Sequence, residues 1–317
     1  MTLMMYFSKV NVNSNIFDVY AERTSIQEIM DEVFNKIDNK TEYKKLEERT
    51  FINSNNELET IDLSEVYNFS ELTKVKDADN FYITGKLVRR YPLHTEEWDD
   101  KKRESLSVTH SNNSISIYFY FDLNSEVISF CQRNKFGYKQ FNESFQELLN
   151  IYLERVGFEI FLLKDPFTIE ERLKQAYKVE RIKSTVIPPN NNNEDLRKLY
   201  DDDVVKMEEG NIQKKISVFE VHQKSKTGIN INSTIVKQVL DSNRAYEKYA
   251  RGYGSIEVNG VNKDGTKFYF NSEQDSPYRV SIYDNEKEDG NKFIKKAKIA
   301  ISSFLTKMVV EKFDEGE

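Results

Sequence analysis

The chain has 317 residues, 38% of them hydrophobic and 31% charged, and its formal net charge is −7. That length suits two ordinary domains or one large one with ample core, and the acidic balance argues against a general polyanion binder while leaving room for a local basic patch. No stretch is apolar and long enough to cross a bilayer, and the single Cys131 has no partner for an internal disulfide, which suits a reducing cytoplasm.

The first residues, Met1 to Phe7, lack a charged leader and a cleavage pattern, so no secretory signal is expected. Met5 to Asn11 reads as a strand at the edge of a sheet. Ser25-Ile-Gln-Glu28 is a capping box, in which hydroxyl and carboxylate each satisfy an amide left free at a helix start. It opens a helix whose Ile26, Ile29, Met30, Val33, Phe34 and Ile37 form one stripe. Asp38 to Arg49 reads as a charged helix or loop, and Phe51 to Glu59 as a loop. Phe81 to Tyr91 is a strand carrying Lys86, Arg89 and Arg90. Pro92 to Glu104, with the only tryptophan (Trp98), loses periodicity and reads as an exposed connection between domains. The division expected is 1–104, 105–210 and 211–317, the last two forming either one domain or two.

The central stretch is the most legible. Ser114 to Phe121 is aromatic and β-branched, with Ile115, Ile117, Phe119 and Phe121 on one face and Tyr118 and Tyr120 on the other. Asp122 to Ser125 supplies turn chemistry, and Glu126 to Gln132 returns as a partner strand. Phe141, Phe145, Leu148, Leu149, Tyr152 and Val156 mark an amphipathic helix, stopped by Gly157. A strand at Phe158 to Leu163 follows. Thr168-Ile-Glu-Glu171 opens a second helix, and Val179 to Ile187 closes the unit before Pro188-Pro189. The order is ββαβαβ, read as an antiparallel sheet with helices on one face. Asn190 onward begins another helix, with Leu196, Leu199, Tyr200 and Val204 as its stripe. The remainder reads βαβββα: a strand at Ile216 to His222, a helix from Ile235 towards Gly252, three short strands between Ser255 and Tyr283, and a helix at Lys292 to Lys312. Asp264-Gly265 and Asn259-Gly260 compete as the hairpin turn. The fold class is therefore α+β, mainly antiparallel.

Few patterns carry chemistry. His94, His110 and His222 lack zinc spacing. There is no phosphate-binding glycine loop, dinucleotide fingerprint or Gly-x-Ser-x-Gly elbow. Asp203, Glu220 and His222, with Lys224 beyond, are the candidate catalytic group, since nucleases hold magnesium between carboxylates of neighbouring strands. A solvated acidic face explains Asp201 to Asp203 equally well. Lys292, Lys295 and Lys296, with Lys86, Arg89 and Arg90, could contact nucleic-acid phosphates if they share a surface. Tyr118 and Tyr120 could stack bases, but the basic, glycine-rich signature of such sheets is absent. Cys131 reads as a small buried hydrophobe.

The Ile187-Pro188-Pro189-Asn190 stop, the Gly254-x-Ile256-x-Val258 strand, Asp264-Gly265 and Ser276-Pro277 together resemble the uncharacterised bacterial domain-of-unknown-function family 4747 over roughly Phe81 to Tyr283. That resemblance implies no activity and assigns no residue a role. Chains of this kind also resemble mobile-element and anti-phage defence components. The expectation is a cytoplasmic binding or effector protein without a cofactor, acting through a protein partner or nucleic acid. The alternatives are a magnesium-dependent nuclease and a self-assembling structural protein.

Overall fold

The computed structural model describes residues 2–52, 56, 58–164, 172–188, 190, 205–222, 224–248 and 253–314. In chain order its elements are β1 (Thr2–Val12), α1 (Ile16–Tyr20), α2 (Ile26–Lys36), β2 (Glu42–Lys45), β3 (Glu48–Ile52), β4 (Leu58–Asp62), β5 (Glu65–Lys76), β6 (Phe81–Asp99), β7 (Glu104–Asp122) and β8 (Val127–Phe130). There follow α3 (Tyr138–Tyr152), β9 (Phe158–Leu162), β10 (Lys178–Ile187), β11 (Lys215–Glu220), α4 (Thr234–Lys248), β12 (Tyr253–Val261), β13 (Lys267–Asn271), α5 (Ser272–Asp275), β14 (Arg279–Tyr283), α6 (Asp284–Glu288) and α7 (Gly290–Asp314).

An eight-stranded sheet runs β14-β1-β8-β7-β6-β5-β2, with β9 also on β1, and a four-stranded sheet runs β11-β10-β12-β13. All pairings are antiparallel, and the class is α+β.

Two aromatic-rich layers and one mainly aliphatic layer follow from strand alternation. Odd-numbered residues of β7 (Ile117, Phe119, Phe121) meet Phe69, Leu87 and Phe130 beneath α2 and α3. Phe145 of α3 sits edge-on to Phe69 at 4.8 Å and to Phe119 at 5.1 Å, a geometry that adds quadrupole attraction to burial. Even-numbered Tyr120 points the other way and joins Met5, Phe7 and Cys131 under Phe293, Ala297 and Ile301 of α7. Helices thus cover both faces of this sheet, not one. Alternation gives both faces apolar side chains, and each needs cover. The smaller sheet packs Ile182, Ile256, Val258 and Phe270 against Val236 and Leu240 of α4.

Several expectations change. The strand at the chain start is not an edge: β1 has neighbours on both sides, and Met5 to Val12 are buried on both faces. β10 does not close the sheet of β7, β8 and β9 but centres the second sheet. Residues 38–49 hold β2 and the start of β3, and of 51–59 the described 51–52 and 58–59 pair as the ends of β3 and β4; the alternating charges of β2 sit on exposed positions of a strand, which single-sequence periodicity reads as loop. Residues 92–104 are not a connection. They are the far end of β6, its turn and the start of β7, and the 104/105 boundary falls inside that hairpin. Helix α3 stops at Tyr152, before Gly157. Gly157 instead lets the 13–14 backbone approach: its carbonyl accepts from Asn13 N–H at 2.7 Å, and a Cβ there would stand 2.0 Å from Ser14 Oγ. The hairpin turn is Asp264-Gly265, with Gly265 at φ +83°. Gly260 lies within β12, where a Cβ would strike the Lys178 carbonyl at 2.1 Å. The helix starts at Thr168 and Asn190 and the Asp201 to Asp203 cluster fall on or run into residues outside those described.

The Pro188–Asn190 stop joins the two sheets. Along one edge of β1 lie β14 and then β9; along the other lies β8, opposite residues 6–9 only. Where β8 ends, the Asn190 side chain continues the ladder. Its Oδ1 accepts from Val12 N–H at 2.8 Å and its Nδ2 donates to Val10 C=O at 2.9 Å. The same Nδ2 donates to Glu126 Oε2 at 2.7 Å, and Glu126 is ion-paired with the buried Lys9. Asn11 Nδ2 donates to Pro188 C=O at 3.1 Å. An amide carries donor and acceptor on one planar group, so it can stand in for a strand residue.

Candidate functional site

A cavity of about 760 Å³ opens where β6 leaves the sheet and α3 begins. Its chain-specific feature is the segment between β8 and α3. Arg133 and Phe136 exchange backbone hydrogen bonds of 3.1 and 3.0 Å. Lys135 takes φ +64°, an uncommon conformation for a residue with a Cβ. That tight turn presents Gln132, Arg133, Asn134 and Lys135 to the cavity. Gly137, the residue before α3, also lines the cavity and caps the helix without a side-chain hydrogen bond to the first-turn amides.

β6 supplies the opposite wall. Arg89 and Tyr91 fall on the α3 side, and the Arg89 guanidinium lies 4.5 Å above the Tyr91 ring. Arg89 is ion-paired to Glu65 and donates to the Lys135 carbonyl, so it is fixed rather than mobile. Glu65 also accepts from the Tyr67 hydroxyl, and burial pushes that phenol well above its ordinary value. Gln132 Nε2 donates to Tyr6 Oη at 3.1 Å, and Arg133 Nη1 to the Ser116 carbonyl at 3.4 Å. Among the described residues, none that lines the cavity is acidic. With Glu65 offsetting Arg89 from behind, Arg133 and Lys135 leave it positive. Such a wall can hold carboxylate or phosphate, and the amides of Gln132, Asn134 and Gln140 can donate or accept beside it.

Strand alternation separates the expected basic residues. Arg89 faces this cavity. Lys86 and Arg90 face the α7 side, held by Glu71 at 2.6 Å and Glu42 at 2.5 Å. On α7, Lys292 pairs with Asp289 at 3.3 Å and Lys296 with Glu286 at 4.0 Å, while Lys295 is exposed. Glu220 opposes Arg181 on β10 and pairs with its Nε at 2.5 Å. His222 Nδ1 accepts from Lys224 N–H at 3.2 Å. Asp203 lies outside the described residues. Among the described residues, no group of three or more His, Cys, Asp or Glu is placed to hold a metal ion. Cys131 is buried, which pushes its thiol up to about 12. Tyr118 and Tyr120 lie beneath α7.

Sequence reasoning passed over Gln132, Arg133, Asn134 and Lys135. The signal was there: two cations and two amides in a row, between an apolar strand and an amphipathic helix, closed by Gly137.

The model of the family described as "Domain of unknown function (DUF4747)" matches residues 6–299. The chain belongs to that family. The match takes in nearly all of both sheets and the first part of α7, so the DUF4747 unit includes the Asn190 junction and all of the cavity lining except Thr2, Leu3 and Met4. No curated protein matches this DUF4747 chain. Among the described residues, no helix is long and apolar enough to cross a membrane.

Proposed function

We propose that this chain is a binding protein whose cavity between β6 and the start of α3 takes an anionic segment of a macromolecular partner. The observation that carries this reading is that Arg133 and Lys135 stand beside the Glu65-paired Arg89 on a cavity with no acidic residue among its described lining, in a chain whose net charge is −7. A local positive site on an acidic protein selects anionic partners at short range rather than attracting polyanions in general. The setting we propose is the bacterial cytoplasm, in phage defence or a mobile element; the resemblance of the chain and its lack of paired cysteines support it. The magnesium-nuclease alternative is weakened by the Arg181 partner of Glu220.

Fluorescence anisotropy with labelled single-stranded DNA, single-stranded RNA and polyglutamate, with magnesium and with chelator, tests this. At least one probe is expected to bind, without cleavage, more weakly as salt rises. The double change Arg133→Glu and Lys135→Glu should abolish that binding. Binding that survives it, or no binding of any probe at low salt, overturns the reading. Magnesium-dependent cleavage would point to the nuclease and to Glu220 and Asp203 as the residues to change next.

A further inference from the structure

Beyond the cavity, β6 and β7 form an arm. β5 pairs with β6 only as far as Arg90, and β8 pairs with β7 only from Phe119 to Asp122. From Tyr91 and Asn113 outward the two strands pair with one another, to the Asp99–Glu104 turn. None of the arm's described side chains is buried. A two-stranded ribbon is marginal in water by itself, so a ribbon this long wants a covering surface.

Its two faces differ. One bears His94, Glu96, Trp98, Ser105, Ser107 and Thr109. The other continues the wall of the cavity, because the irregularity between Tyr91 and Leu93 leaves the β6 side chains in step. Along this second face the order is Arg89, Tyr91, Leu93, Thr95, Glu97 and Asp99 on β6. Opposite them, Leu106 and Val108 add apolar surface and Glu104 a further carboxylate. His110 Nε2 bonds Glu97 Oε1 across this face at 3.0 Å. The face is therefore cationic at its base, apolar in its middle and acidic at its end. Its strand positions beyond Tyr91 carry Glu97, Asp99 and Glu104 and neither lysine nor arginine; Lys101, Lys102 and Arg103 lie in the turn, where Lys102 pairs with Glu104 at 3.7 Å and the Lys101 and Lys102 amides donate to Asp99 Oδ1, so Glu97 and the free oxygens of Asp99 and Glu104 are what this end offers a partner.

That order is self-complementary. Turned end for end, the same face sets acid against base at both ends and Leu93 and Val108 against their own copies near the centre. Arg89 and Asp99 are about 34 Å apart along an extended strand, so the midpoint falls near residue 94. We propose that two copies of this chain dock by crossing their arms with two-fold symmetry, the acidic end of each arm lying in the positive cavity of the other. The proposal rests on the anion-binding reading of the cavity and names the partner: a second copy, whose Glu97, Asp99 and Glu104 supply the anionic segment. An isologous contact of this kind closes on itself. The ribbon face covers roughly 340 Å² (about 34 by 10 Å), below the ~800 Å² per partner of a standard interface, so the dimer is weak and depends on concentration.

Sedimentation equilibrium of the full chain across concentration tests it. The wild type should pass from monomer to dimer, and added salt should shift it back. Two variants should each stay monomeric: one with Glu97→Lys, Asp99→Lys and Glu104→Lys, the other with Arg133→Glu and Lys135→Glu. Mixing the two should restore a dimer, because both contacts then again join opposite charges. A general loss of folding cannot give that rescue. A monomeric wild type at all concentrations, unchanged dimerisation of either variant, or no rescue on mixing overturns the proposal. A monomeric wild type whose cavity still takes polyglutamate or nucleic acid, with that binding lost on Arg133→Glu, rejects the arm exchange and keeps the anion-binding reading. Failure of both assays rejects both.

Discussion

Replacing Asn190 with alanine removes three hydrogen bonds from the junction between the sheets. Asn190 is buried, and so is the strand it completes. The change leaves Val12 N–H and Val10 C=O without a strand partner and takes one donor from Glu126. An unpaired buried backbone group costs about 1–3 kcal/mol, and the lost bond to a charged group adds to that. The sum is roughly 3–6 kcal/mol, and the lower value applies if water fills the space of the amide. Against a total stability of about 5–15 kcal/mol this is a large fraction. With a urea slope of about 3 kcal/mol per molar, the transition midpoint should fall by at least about 1 M. The assay is urea denaturation followed by far-ultraviolet circular dichroism. Asn190→Asp is the informative companion: it keeps an acceptor for Val12 N–H, loses both donated bonds and sets a second carboxylate against Glu126. It should unfold at least as early as the alanine variant at neutral pH. A midpoint for Asn190→Ala within about 0.2 M of wild type would refute the view that this side chain completes the β1 ladder.

Two further outcomes follow from one half-buried and one buried group. Burial raises the Asp122 carboxyl above its ordinary value of 3.8, although Ser125 and Asn124 donate to it. A raised carboxyl means the folded state holds the proton more tightly, so this group costs stability as pH rises from 3.8 through the raised value. Asp122→Asn should therefore gain on wild type across that window in urea midpoints measured at several pH values; parallel profiles would contradict this. Cys131, with its thiol raised to about 12 by burial, should react with a disulfide reagent at pH 8 only in denaturant. Rapid reaction of the folded chain would show the α7 side of the sheet to be open.

What the sequence determined by itself was local. Alternation over Ser114 to Phe121, the capping box at Ser25 and the stripe from Phe141 to Leu149 each state a period, and a period fixes which residues share a face. The Ser25 box formed as its spacing required, with Glu28 N–H donating to Ser25 Oγ at 3.1 Å. The α+β class followed from the order of such elements. Polar strands were illegible: β2, β3 and the outer halves of β6 and β7 carry charges on exposed positions, and their strand character comes from the partner across the ladder, not from their own composition. Only tertiary structure could decide the rest. It sent β10 into a second sheet, split Arg89 from Lys86 and Arg90, gave Glu220 an arginine partner, and brought Arg89 to Arg133 and Lys135 across a gap in sequence. It also showed what Pro188–Asn190 is for. A proline pair announces that a strand ends, but that the next side chain pairs with Val10 and Val12 depends on where β8 stops. That is a long-range fact about two strands and is written in neither alone.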